Sequence, residues 1–142
     1  MMDNSPVILS TAYLPPIEYF SELIAAPDFY IEKHENFIKQ TYRSRCIILG
    51  ANGPIDLVIP VEKGRSKKKP IRDIRIYNNV AWQQNHWRTI FSAYNSSPFF
   101  EYYQDDFLSF YKKKWKFLFD LNNTLLETIF EILEISSAIN FT

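Results

Sequence analysis

From Pro6 the chain is apolar and β-favouring with few polar interruptions, the pattern of a buried strand over residues 6–14. Pro15-Pro16 stops it, because a residue before proline is pushed toward extended backbone, while proline itself is tolerated in the first turn of a helix. Ile17, Phe20, Leu23 and Ile24 then recur at helical spacing, which predicts a short amphipathic helix over 16–25, ended by Pro27. From Asp28 the period shortens. Phe29, Ile31 and Phe37 share one parity with Lys33 and Glu35 between them, an imperfect alternation for a strand that leads into a polar turn. Residues 42–50 and 55–61 flank Asn52-Gly53, the strongest short hairpin signal, and Ile55, Leu57, Ile59 and Val61 point to one side, the core side. Pro60 cannot donate to a ladder, so that arm reads as an edge strand or a bulge.

Gly64-Arg65-Ser66-Lys67-Lys68-Lys69-Pro70 is expected to be an exposed, mobile basic loop, and residues 71–77 a further strand. Past Asn78-Asn79 the pattern turns helical: residues 81–94, a second helix opened by the capping pair Ser97-Pro98 and running to about residue 115, and a last one from 121 to about 134 with Asp120 as its N-cap. Strands thus gather in residues 1–78 and helices in 79–135. That order predicts a single α+β domain over residues 1–142, an antiparallel or mixed sheet from the N-terminal half packed by helices from the C-terminal half.

Composition narrows the function classes. Three glycines argue against a dinucleotide or P-loop phosphate cradle, so no nucleotide cofactor is expected. One Cys and two His at no finger spacing leave no metal site. There is no basic-then-apolar leader and no apolar run long enough to cross a bilayer, and a lone Cys forms no internal disulfide; a cytoplasmic protein is expected.

Charge is distributed unevenly. The chain is neutral, yet residues 28–88 hold twelve Lys/Arg against six Asp/Glu, so the remainder carries the compensating negative excess. Within this region His34, Lys39, Tyr42, Arg43 and Arg45 crowd together, residue types that hold phosphate, carboxylate or sugar hydroxyls. Read on one strand, Arg43 and Arg45 share a face and form a fork for an anion; a solvated outer face, or pairing with Glu32 and Glu35 from a neighbouring strand, is the alternative. His34 and His86 are the acid/base candidates, since imidazole titrates near pH ~6.5. His34 is the stronger of the two, standing in a polar stretch, whereas His86 lies on a helix with Trp82 one turn before it, where packed histidines are common. Lys39, Tyr42, Arg43, Arg45, Trp82 and Asn95 are the substrate-binding candidates. Cys46, ahead of Ile47-Ile48-Leu49, reads as a core thiol, and Glu101, Asp105 and Asp106 as a solvated face. The aromatic run over 99–119 reads as core, with some tyrosines left to line a sugar pocket.

Ile8-Leu9-Ser10-Thr11-Ala12-Tyr13-Leu14-Pro15-Pro16-Ile17-Glu18-Tyr19-Phe20 resembles the opening of the WbqC-like protein family. The likeness extends to His34-Glu35-Asn36-Phe37 and the following residues to Cys46, to Ile59-Pro60-Val61, to Asn85-His86-Trp87 and to the stretch from Tyr94 to Tyr103. The resemblance implies a place among proteins that build bacterial surface polysaccharide, particularly O-antigen, and a transferase that moves glycine or another aminoacyl group onto a nucleotide-activated amino sugar. It implies a nucleotide sugar or other phosphorylated small molecule and an aminoacyl donor as partners, but supplies no catalytic residues. Members of the family run on for several tens of residues, whereas this sequence stops at Ile139-Asn140-Phe141-Thr142, which has the pattern of a strand beginning; a shortened form is the expectation. The alternative function is a non-catalytic anion- or RNA-binding module using the basic region 33–88, with nucleic acid ranked second as partner.

Overall fold

The computed structural model describes residues 6–26, 28–63 and 69–142. The predicted helix stop at Pro27 and most of the basic loop over 64–70 lie outside the described residues. Strand β1 (Val7–Ser10), helix α1 (Ile17–Ala25) and strand β2 (Phe29–Glu32) form a βαβ unit, in which β1 and β2 pair in parallel from Val7↔Phe29 to Ser10↔Glu32. Parallel neighbours need a long crossover, and α1 supplies it. The short strand β5 (Asn140–Phe141) then pairs in parallel with the other edge of β2, giving the order β1-β2-β5. The expected single sheet is therefore two: this parallel one and a separate antiparallel hairpin.

The hairpin consists of β3 (Arg45–Gly50) and β4 (Gly53–Val58). Gly50 pairs with Gly53, so the two-residue loop is Ala51-Asn52, one residue earlier than Asn52-Gly53 suggested. Gly53 sits at φ 121°, a conformation that side chains other than glycine's rarely tolerate. Cys46 and Leu57 turn inward while Ile47, Leu49 and Val58 stay exposed.

Two further expectations fail. Residues 71–77 are not a strand: Ile71–Asp73 make one 3-10 turn, and the extended residues after it form isolated bridges, Val61↔Ile76 and Arg75↔Phe117. The predicted apolar face of α1 is only half used, with Leu23 buried and Phe20 packed against the core while Ile17 is 82% exposed.

Helices α2 (Trp82–Tyr94), α3 (Phe100–Lys112) and α4 (Leu118–Ile132) cover the sheets. Ser97-Pro98 does not cap α3; Phe99 takes the N-cap position in left-handed backbone with no side-chain cap. Asp120 lies in the first turn of α4, with Phe117 at the cap, and there its carboxylate meets the positive end of the helix dipole. Leu118, Leu121, Leu125, Leu126 and Phe130 make α4 the most deeply buried helix, and the Phe130 ring meets Phe29 edge-on at 5.8 Å. Each such side chain contributes about 1.5–3 kcal/mol by leaving water.

Candidate functional site

The carboxyl ends of parallel strands are where open α/β sheets hold ligands. Here β1 ends at Ser10 and β2 at Glu32, and the polar side chains converge just beyond them. Arg43 donates from Nε to Glu35 Oε1 and from Nη2 to Glu35 Oε2, each at 2.9 Å, and Nη2 also donates to Ser10 Oγ at 2.9 Å. Ser10 Oγ in turn donates to Glu35 Oε2 at 3.1 Å, and the Tyr19 hydroxyl donates to the Ser10 carbonyl at 2.7 Å. The Arg43 backbone is anchored from below, since Asn122 Nδ2 donates to its carbonyl at 2.8 Å. Asn122 Oδ1 is buried and has no partner among the described residues. Beside this network opens a cleft of about 410 Å³, walled by Ser10, Thr11, Thr41, Tyr42 and Arg43 on one side and by Glu18 and Glu22 of α1 on the other. Burial and the Glu35 charge both push the Tyr19 hydroxyl to a higher pKa, so it stays a donor.

The connector from β1 to α1 divides this cleft from a second one. Tyr13 within it is fully buried, held by its N–H to the Tyr42 carbonyl at 2.9 Å. Its hydroxyl is 2.6 Å from the Tyr111 hydroxyl and 2.9 Å from His86 Nδ1, while His86 Nε2 is 2.9 Å from the Val58 carbonyl. A carbonyl only accepts, so Nε2 carries the proton, Nδ1 accepts from Tyr13, and Tyr13 accepts from Tyr111. Burial lowers the His86 pKa to about 4, against a smaller opposing pull from the bond to Val58, so the ring is neutral near pH 7. Tyr111 reaches from this chain to the wall of an aromatic cleft of about 600 Å³, which Leu14, Tyr94, Phe99 and Tyr103 also line. Leu14 (φ 44°) and Phe99 (φ 69°) hold left-handed backbone, an arrangement that costs roughly 1–3 kcal/mol each.

Residues 11–142 match the WbqC-like protein family. The chain belongs to that family. No curated protein and no solved structure matches it. The family match begins at Thr11, so it takes in the connector, Thr41 to Arg43 and the whole Tyr13–His86–Tyr111 chain. In this WbqC-like chain no helix of the described residues is long and apolar enough to cross a membrane, and no group of three or more His, Cys, Asp or Glu side chains converges as metal ligands among them.

The sequence-predicted site residues separate into three groups. Tyr42 and Arg43 line the cleft beside α1, but Arg43 precedes β3 rather than sharing a strand face with Arg45, and its guanidinium is clamped by Glu35. His34 stands exposed two residues past β2, its backbone N–H donating to Glu32 Oε1 at 2.8 Å. That bond, with one from the Thr142 hydroxyl, holds the Glu32 carboxyl below its ordinary pKa. Lys39 is exposed in the turn after it, and Asn95 is exposed at the C-terminus of α2, remote in sequence from the cleft beside α1. His86 and Trp82 are both buried, their rings edge-to-face at 5.1 Å, and Trp82 Nε1 donates to Asn78 Oδ1. As arranged, neither presents an atom to a ligand. Ser10, Thr11, Glu18, Tyr19 and Glu22 were not singled out by the sequence, although all but Glu22 fall in its opening motif.

Proposed function

We propose that this protein is a transferase of surface-polysaccharide assembly that moves an aminoacyl group, such as glycyl, onto the amine of a nucleotide-activated amino sugar in the cleft between α1 and residues 41–43. Membership of the WbqC-like family fits a role among polysaccharide-cluster proteins. The observation that carries the reading is the Arg43–Glu35 clamp at the carboxyl end of the parallel sheet. A guanidinium held by a carboxylate is pre-oriented, and Arg43 Nη1, whose bond to Thr41 Oγ1 is a long 3.3 Å, retains donor capacity for a substrate anion.

Each wall has a task in this reading. Arg43 takes the carbonyl or phosphate oxygens, Glu18 and Glu22 hold ammonium or hydroxyl groups, and the Tyr42 ring covers a sugar face. The sugar amine attacks the carbonyl carbon of an activated aminoacyl ester or thioester. An amide C–N bond forms, the bond to the donor's oxygen or sulfur breaks, and the amine proton passes to a base, for which exposed His34 is the candidate. His86 serves indirectly, by fixing Tyr13 and with it the connector that walls the cleft.

The test incubates the full chain with nucleotide-linked amino sugars and labelled glycine presented as an activated thioester, and follows acylated sugar by mass spectrometry. Product formed by the parent and lost with Arg43→Ala supports the reading. Arg43→Ala and His34→Ala proteins that both modify sugar at the parent's rate would sink it. Binding of RNA with no affinity for any nucleotide sugar would favour the non-catalytic alternative instead.

A further inference from the structure

We propose that a second groove, between residues 75–79 and 114–116, binds a phosphate-type dianion carried by a small ligand. Two basic segments far apart in sequence meet here. Arg75 and Phe117 form a β-bridge, Ile76 N–H donates to the Lys116 carbonyl at 2.9 Å and Leu118 N–H to the Ile74 carbonyl at 3.1 Å. Because the backbones are joined, Arg75 is fixed beside Lys114 and Lys116 along a groove of about 250 Å³.

Two of the three cations are positioned, and none of the three is neutralised. The Arg75 guanidinium lies 5.5 Å and the Lys116 ammonium 5.4 Å from the Phe117 ring centroid, so one ring restrains both. Glu62 is the carboxylate in the groove, and among the described residues the one ion pair is Arg43–Glu35, so none of the three cations is matched by a carboxylate within 4.0 Å. Asn78 is committed to the wall, donating to the Trp115 carbonyl at 2.9 Å and accepting from Trp82, while exposed Asn79 offers an amide at the rim. Like charges held together repel unless an anion joins them.

Three cations against one carboxylate leave an excess of two, which suits a phosphate or diphosphate better than a monoanionic carboxylate. The volume lies below the roughly 300–1,000 Å³ of sites that enclose a drug-sized ligand, so the groove takes a phosphorylated end rather than a whole ligand. A polyanion such as RNA is disfavoured by the neutral chain and its sequence pI of 6.7, where nucleic-acid domains are strongly basic. The inference is independent of the transferase reading, since an anion would occupy this groove whichever chemistry the protein performs.

Pyrophosphate titrated into the full chain at low salt, followed by calorimetry and amide NMR, tests it. The expected result is saturable binding with shifts centred on residues 75–79 and 114–116. The Lys114→Ala/Lys116→Ala protein should bind at least about tenfold more weakly, and Lys112→Ala, an equal change of charge per residue outside the groove, within about twofold of the parent. Thermal melts of both variants verify that the fold is kept. No saturation, shifts scattered over other surfaces, or an equal loss with Lys112→Ala would each overturn the site. A short oligoribonucleotide that binds tightly where pyrophosphate does not would overturn the small-ligand assignment.

Discussion

Arg43 and Glu35 meet through two parallel hydrogen bonds of 2.9 Å, with side chains only 15% and 19% exposed. The pair joins the turn before the hairpin to the end of the parallel sheet, and Ser10 of β1 is tied to both members. The guanidinium stiffens the scaffold at a residue that also lines the cleft beside α1.

Glu35→Ala should therefore lower stability by about 1–3 kcal/mol, since it strands a partly buried guanidinium and removes charge-assisted bonds. Arg43→Lys should cost less than Arg43→Ala while still losing the two-pronged geometry. Urea unfolding midpoints measure both, and a Glu35→Ala midpoint equal to the parent's would show the clamp to be energetically idle.

Acid should weaken the fold through His86. Its folded pKa of about 4 lies below the ordinary 6.5 of the unfolded chain, so below pH 6.5 the unfolded state takes up a proton that the folded state refuses. Stability present above pH 6.5 is lost as pH falls toward 4, by roughly 2–4 kcal/mol in all. Denaturation series at several pH values should have this slope, and His86→Gln should flatten it.

Tyr13→Phe should cost more than Tyr111→Phe. The Tyr13 hydroxyl both accepts from Tyr111 and donates to His86, so its loss leaves a buried acceptor and a buried donor unpaired, whereas Tyr111→Phe removes one donor. The expected penalties are about 2–3 and about 1 kcal/mol. A double-mutant cycle with less than additive loss would identify the three side chains as one unit.

Cys46 should resist thiol reagents in the native protein. Burial, then the nearby Asp56 charge, pushes its pKa up to about 12, leaving almost no thiolate at pH 8. Labelling should appear only with denaturant and track unfolding; fast labelling in plain buffer would contradict the packed position.

Local signals made most elements readable. Period-3.6 spacing located α2 and α4 to within a few residues, and the turn-forming residues located the hairpin. The failures have physical causes. Ile71, Ile74 and Ile76 are all buried, and their spacings of three and two mix a 3-10 turn with extended chain, which alternation alone misread as a strand. Arg43 and Arg45 seemed to share a face because the strand was expected to begin at Tyr42; it begins at Arg45. The chain from Tyr111 through Tyr13 to His86 spans 98 and 73 residues of sequence, and no local pattern reports which buried hydroxyl will meet which imidazole. The cationic groove was illegible for the same reason, since its two basic segments become neighbours only through a backbone bridge.

The pairing of β2 with β5 has a consequence for how the chain matures. Glu32 and Thr142, 110 residues apart, are hydrogen-bonded at the end of that pairing, and Tyr30 and Ile31 find their partners in Asn140 and Phe141. The central strand of the parallel sheet therefore keeps one open edge until residues 140–141 have been made. Closing so long a loop is entropically slow, and until it closes an unpaired strand edge is a template for association with other nascent chains. Yield from a crowded cell should depend on how quickly that seam is sewn.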